Sequence, residues 1–239
     1  MLEKIKPEKI LFLDIETAPL YAKYQELSTE YQEFWEKKSS HFRTENQTAE
    51  EVYDRAAIYA EFGKVICISF AMIYTRDNER HLRIKSIYGD NEKQILKEFD
   101  ELINKMNGAN DISLCAHNGK EFDFPYLSRR MLVNEIPLPS ILDVAGKKPW
   151  ETPFIDTMEL WKFGDYKHYT SLNLLSYLFG IPSPKTDLDG SMVASVYWKD
   201  HDLKRIAKYC QLDVLTVVQL LLKFKGENTI PEKNIEIVE

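Results

Sequence analysis

Residues 10–17 read Ile-Leu-Phe-Leu-Asp-Ile-Glu-Thr, an apolar run of strand length that ends in two acids. Ile10 to Leu13 suit the interior of a sheet covered on both faces. Successive strand side chains alternate between faces, so Asp14 and Glu16 point the same way and Ile15 points opposite. Two carboxylates that close repel each other, and at the end of a buried strand they are costly without a cation between them. Oxygen-only ligands favour a hard ion such as magnesium or manganese. An acidic pair solvated at a strand end is the competing reading of these residues alone.

Outward from this strand, Ala18-Pro19 breaks the extended run. Residues 20–62 carry Tyr21, Tyr24, Leu27, Tyr31, Phe34 and Trp35 at helical steps. The pattern Thr48-x-x-Glu51 opens a second expected helix, to about Glu61. The stretch reads as a helical insertion packed over the sheet or the site. Val65–Tyr74 and Arg80–Tyr88 predict an antiparallel pair joined at Arg76-Asp77-Asn78. Glu92–Met106 predicts an amphipathic helix stopped at Gly108. Ile112–Ala116 predicts a strand, followed by His117-Asn118-Gly119-Lys120-Glu121-Phe122-Asp123 and a helix to Asn134. Phe154–Thr157 predicts a short strand, and Ser171–Phe179, Met192–Lys199 and Asp202–Lys223 predict helices. The expected organisation is one α/β domain over residues 1–225, a central mixed sheet flanked by helices, with a frayed or poorly packed tail from 226 to 239.

Composition narrows the function. The chain has 239 residues, 44% of them hydrophobic, enough for a globular core, and no apolar run long enough to span a bilayer. Met1 to Lys9 do not read as a secretory signal. The three cysteines, Cys67, Cys115 and Cys210, form neither a zinc pattern nor a disulfide framework, which predicts a reducing cytoplasm. A net charge of −7 argues against a protein that coats nucleic acid by charge alone, but not against an enzyme acting on it with bound cations.

The last helix adds a third acid. Asp213 falls roughly 20° from Ile206 around the axis, at the border of the apolar stripe, and Tyr209 lies one turn before it. An aspartate there needs a partner: a backbone group, a lysine, or a metal shared with Asp14 and Glu16.

Together, Phe-Leu-Asp14-Ile-Glu16-Thr, Asn118-Gly-Lys-Glu-Phe122-Asp123 and Tyr209-Cys-Gln-Leu-Asp213 resemble the three motifs of the DEDD exonucleases. The tyrosine before the last aspartate resembles the tyrosine subclass; where the histidine subclass has its histidine, this chain has Lys208. The sequence looks most like stand-alone bacterial domains related to the proofreading domain of family-B DNA polymerases, over about residues 8–222. The resemblance implies a ribonuclease H-like fold and removal of nucleotides from 3′ ends with two Mg2+ or Mn2+ ions. It implies that Asp14 bridges the ions, that Glu16 and Asp213 bind the ion that activates water, and that Asp123 holds the second. Tyr209 would orient the water, and Thr17, Asn118 and Phe122 would contact the terminal nucleotide. The expected substrate is single-stranded DNA. An RNA-processing exonuclease and a catalytically silent module that binds nucleic-acid ends are the alternatives. Arg129-Arg130, Lys147-Lys148 and the stretch Lys162 to His168 are candidate phosphate contacts, while Asp156-Thr157 and Asp187-Leu188-Asp189-Gly190 read as a strand end and a turn.

Overall fold

The computed structural model describes residues 2–109, 112–165, 169–182 and 187–238. Its centre is β1 (Ile10–Pro19), flanked on one side by β2 (Gly63–Arg76) and β3 (Glu79–Tyr88) and on the other by β4 (Ser113–Ala116) and β5 (Phe154–Asp156). β1, β2 and β3 are antiparallel neighbours, whereas β4 and β5 run parallel to β1. Asp77 and Asn78 both adopt positive φ, as a two-residue hairpin turn requires, and close the β2–β3 pair in the expected place.

The continuous apolar run of β1 follows from helices on both sheet faces. Leu11, Leu13 and Ile15 pack with Leu96 and Phe99 of α2 (Glu92–Ala109) and with Leu127 and Met131 of α3 (Asp123–Val133). Ile10 and Phe12 face the other way, against Val214, Val217, Val218 and Leu221 of α7 (Leu203–Phe224). Asp14 and Glu16 continue this second face. α2 reaches Ala109, past the glycine expected to end it. Three shorter helices, α4 (Thr157–Lys162), α5 (Leu172–Leu178) and α6 (Val193–Ser195), lie between β5 and α7, and α6 runs on into a π-helical turn at Val196–Asp200. Among the described residues, no helix is long and apolar enough to cross a membrane.

The insertion departs from expectation. It holds one α-helix, α1 (Thr29–Ser39), and a 3-10 segment, Tyr53–Ile58. The reciprocal capping bonds of Thr48 and Glu51 do form, yet no α-helix follows them. Carbonyls that such a helix would use are taken by tertiary donors: Ala49 by the Trp35 indole, Ala57 by the Tyr126 hydroxyl and Ala60 by Arg130. Gly63 permits this docking, because a Cβ there would collide with the Tyr126 hydroxyl and lie 2.8 Å from the Ala57 carbonyl.

The tail departs from expectation as well. Instead of fraying, it forms β6 (Ile235–Val238), paired parallel to β3 from Leu82 to Lys85. Gln219 exchanges two hydrogen bonds with the backbone of Ile230, and the Asn234 amide donates to Glu79 and the Arg80 carbonyl. Arg80 in turn pairs with Glu8 and Glu227, so several polar contacts hold the segment in place.

Candidate active site

Three elements meet at the acidic end of β1. Asp14 and Glu16 lie on the face covered by α7, opposite Ser69 and Cys67 of β2. A register shift follows Glu16, and Thr17 beyond it is buried with its hydroxyl beside that of Tyr126. Such irregularities commonly re-aim a side chain beside a site. α7 brings Cys210, whose thiol donates to the Asp14 carboxylate at 3.2 Å, and one turn later Asp213. α3 brings Asp123 at its first residue, where the carboxylate accepts the Ile15 amide at 3.1 Å. That bond places Asp123 against the backbone between Asp14 and Glu16.

The loop ahead of Asp123 is held by Asp156. Its carboxylate accepts the Asn118 and Lys120 amides at 3.0 and 3.1 Å and caps α4 through Met158 and Glu159 at 2.9 and 3.3 Å. Four backbone donors make Asp156 a scaffold for this loop. His117 lies between Thr157 and Thr170, its Nε2 donating to the Thr170 carbonyl and its Nδ1 facing the Thr157 hydroxyl, both at 2.9 Å. Burial lowers its pKa, which favours the neutral ring. Asn118 takes a left-handed φ of 63°, and its buried Oδ1 has no hydrogen-bond partner among the described residues. Gly119 is packed so closely that a Cβ would lie 3.0 Å from the Phe124 ring. Phe122 packs against the Tyr126 ring at a centroid distance of 5.4 Å.

The electrostatics are those of crowded acids. Burial first, then the charges of Asp123 and Asp213, push Asp14 well above the usual carboxylate range; burial and Asp14 do the same to Glu16. Burial pushes Asp123 up to about 7, against the stabilising Ile15 amide. It pushes Asp213 up to about 6, opposed by the Tyr209 hydroxyl. Tyr209 itself is raised by burial and then by Asp213 and Glu16, so it keeps its proton at neutral pH. Asp14, Glu16 and Cys210 each place a ligand atom within 4.8 Å of the others and could hold a metal ion. Clustered carboxylates that resist ionisation are a donor set that a divalent cation fits, because its charge offsets both burial and mutual repulsion.

The structure thus brings Asp14, Glu16, Asp123, Tyr209 and Asp213 into one electrostatic neighbourhood, with Thr17, Asn118 and Phe122 on the segments that border it. Two residues escape sequence reasoning. The Cys210 contact spans 196 positions, and only its place beside Tyr209 on the stripe hints at it. Tyr169 is exposed, yet partial burial and then the charges of Asp123 and Asp156 raise the pKa of its hydroxyl. Of the candidate phosphate contacts, Arg130 is excluded, since its guanidinium is buried in a bidentate pair with Glu92 at 2.8 and 2.6 Å. Lys148 stays near the surface over the Trp150 ring, and residues 166–168 lie outside the described residues. Asp187 pairs with Arg205, and Asp189 accepts the Ser191 amide at 2.8 Å, as a turn residue does.

A mixed six-stranded sheet flanked by helices, with buried acids where its central strand meets a long helix, is the arrangement of a ribonuclease H-like α/β domain. The chain belongs to the family of predicted 3′–5′ exonucleases related to the exonuclease domain of PolB, whose model matches residues 58–232. The match includes Asp123, Tyr209 and Asp213, whereas Asp14, Glu16 and most of the insertion precede it. No curated protein matches the chain.

Proposed function

We propose that the chain is a metal-dependent exonuclease that removes nucleotides from the 3′ end of single-stranded DNA, with Asp14, Glu16, Asp123 and Asp213 holding two Mg2+ or Mn2+ ions. The observation that carries this reading is the convergence of four carboxylates whose ionisation is opposed by burial and, for Asp14, Glu16 and Asp123, also by neighbouring acids. When bound, the ions would offset the phosphate charge and activate the attacking water.

The protein's own groups do the positioning. The Ile15 amide fixes the Asp123 carboxylate, and the Cys210 thiol fixes that of Asp14. Tyr209 remains protonated at neutral pH, so it acts as a hydrogen-bonding partner that orients water and not as a base. Its contact with Asp213 directs the hydroxyl toward the acids. Asn118 presents a buried acceptor that a terminal sugar or base can satisfy, and Phe122 and Thr17 complete the wall. Three buried, unbridged thiols support a reducing, cytoplasmic setting.

Digestion of end-labelled DNA and RNA oligonucleotides, single- and double-stranded, tests the proposal. The expected result is stepwise release of mononucleotides from single-stranded DNA with Mn2+ or Mg2+, and none after chelation. Undiminished activity in chelator refutes the metal site, and preferential digestion of RNA refutes the DNA assignment.

A further inference from the structure

The insertion carries a second surface with chemistry of its own, and none of the acids of the candidate site lines it. Tyr31, Phe34, Lys37 and Lys38 share one side of α1 and, with His41 and Phe62, line a concavity of about 440 Å³. Phe34 is 61% exposed and Tyr31 38%, although Trp35 on the same helix is fully buried. The exposed rings are braced. Tyr31 meets Phe34 edge-on at 6.3 Å and Phe62 at 5.9 Å, and its hydroxyl donates to the Glu61 carbonyl at 3.4 Å. The Lys38 ammonium stands over the Tyr59 ring at 4.4 Å. Glu61 is the one acid lining the concavity among the described residues, and Glu33 and Glu36 line a different hollow. In a chain of net charge −7, cations are thus gathered around solvent-facing rings.

Rings that stack bases beside cations that meet phosphates are the elements of a single-strand binding face. A protein-docking patch would instead deplete lysine at its centre. The insertion is fixed to the elements that present the acids. Tyr126 and Arg130 of α3 donate to the Ala57 and Ala60 carbonyls at 2.9 and 2.8 Å. The Leu20 amide donates to the carbonyl of Phe62, a wall of the concavity, at 3.0 Å. Leu20 lies four residues beyond Glu16, or about 13 Å of extended chain. Tyr31 to His41 fall outside the residues matched by the family.

We propose that this concavity is an upstream subsite for single-stranded nucleic acid, holding nucleotides several positions 5′ of the one removed. The proposal rests on nucleic acid being the substrate, and the test separates the two. Binding of labelled oligothymidylates of about 20 and about 3 nucleotides is followed by fluorescence anisotropy, with Phe34→Ala and the double variant Lys37→Glu/Lys38→Glu beside the wild type. Phe34 and Lys37 are exposed and Lys38 is half-buried, and unchanged melting shows that the fold is intact. Each variant is expected to bind the long strand roughly tenfold more weakly, and the lysine variant to show a shallower salt dependence. Affinity for the trimer and hydrolysis of the p-nitrophenyl ester of thymidine 5′-monophosphate should stay at wild-type levels. Wild-type affinity of both variants for the long strand, or equal wild-type affinity for both lengths, overturns the subsite while leaving the nuclease reading intact. Length-dependent binding that the variants weaken, in a protein that hydrolyses neither ester nor strand, upholds the subsite and overturns the nuclease.

Discussion

Asp213→Asn should stabilise the metal-free protein while abolishing its activity. Asp213 titrates at about 6 in the fold, against 3.8 for a free side chain, chiefly because α7 buries it beside the other acids. Between those values the folded chain keeps a proton that the unfolded chain has lost. Stability therefore falls as pH rises through this window, the reverse of the trend for an ion-paired carboxylate. The difference corresponds to about 3 kcal/mol lost above pH 6. In a chain of this length that is a melting shift of about 6–12 °C. Asp123, raised to about 7, carries the same trend further, and Asp14 and Glu16 shift in the same direction. In chelator, calorimetry should show the wild type melting lower as pH rises from about 4 to 7. Asp213→Asn should melt above the wild type by that margin at neutral pH and show no advantage at acidic pH. Adding Mn2+ should raise the wild type far more than the variant, because a bound cation adds stability only to the state that holds it. A metal-free variant that melts at or below the wild type at neutral pH would refute the electrostatic reasoning.

Asp14→Ala should be inactive and bind Mn2+ poorly by calorimetry, whereas Tyr209→Phe should retain near-normal Mn2+ binding and turn over about 10²-fold more slowly. Equal rates for Tyr209→Phe and wild type would reduce the tyrosine to packing. Calcium should support strand binding better than hydrolysis, because its looser coordination fills an oxygen site without the required geometry; comparable turnover with Ca2+ and Mg2+ counts against the site as described. A circular single strand should resist digestion on a denaturing gel, and its linearisation would indicate an endonuclease. Arg130→Ala leaves Glu92 buried without its bidentate partner and should cost about 3–5 kcal/mol in urea unfolding; a loss below 1 kcal/mol would mean that water reaches Glu92.

How much of this was legible depended on whether the signal was local. The alternation of Ile10–Glu16 placed both acids on one face, and the helical period of 203–221 brought Asp213 to the edge of the buried stripe, because backbone geometry alone dictates both. The hairpin at Asp77-Asn78 was equally local. The insertion misled because Thr48 and Glu51 carry a true capping signature, while the donors that divert the following carbonyls come from Trp35, Tyr126 and Arg130. Arg130 reads as a surface cation, since nothing near it in sequence reveals Glu92, 38 positions away. β6 carries no clear signal, because Ile-Glu-Ile-Val is short and its partner, β3, lies 153 positions earlier. Asp156 reads as a strand end and is one, but its four amide donors exist only once β4, β5 and α4 have met.

The contact between Cys210 and Asp14 joins positions 196 apart. Closing a loop of that length costs about 5 kcal/mol of chain entropy, and it becomes favourable only when α7 has settled on β1. During synthesis, Asp14, Glu16 and Asp123 leave the ribosome well before Tyr209 and Asp213. A nascent chain that has folded its first strands therefore lacks the residues that complete the acidic cluster. Under the proposed function, the growing polypeptide is harmless to nucleic acid around it until its last long helix docks.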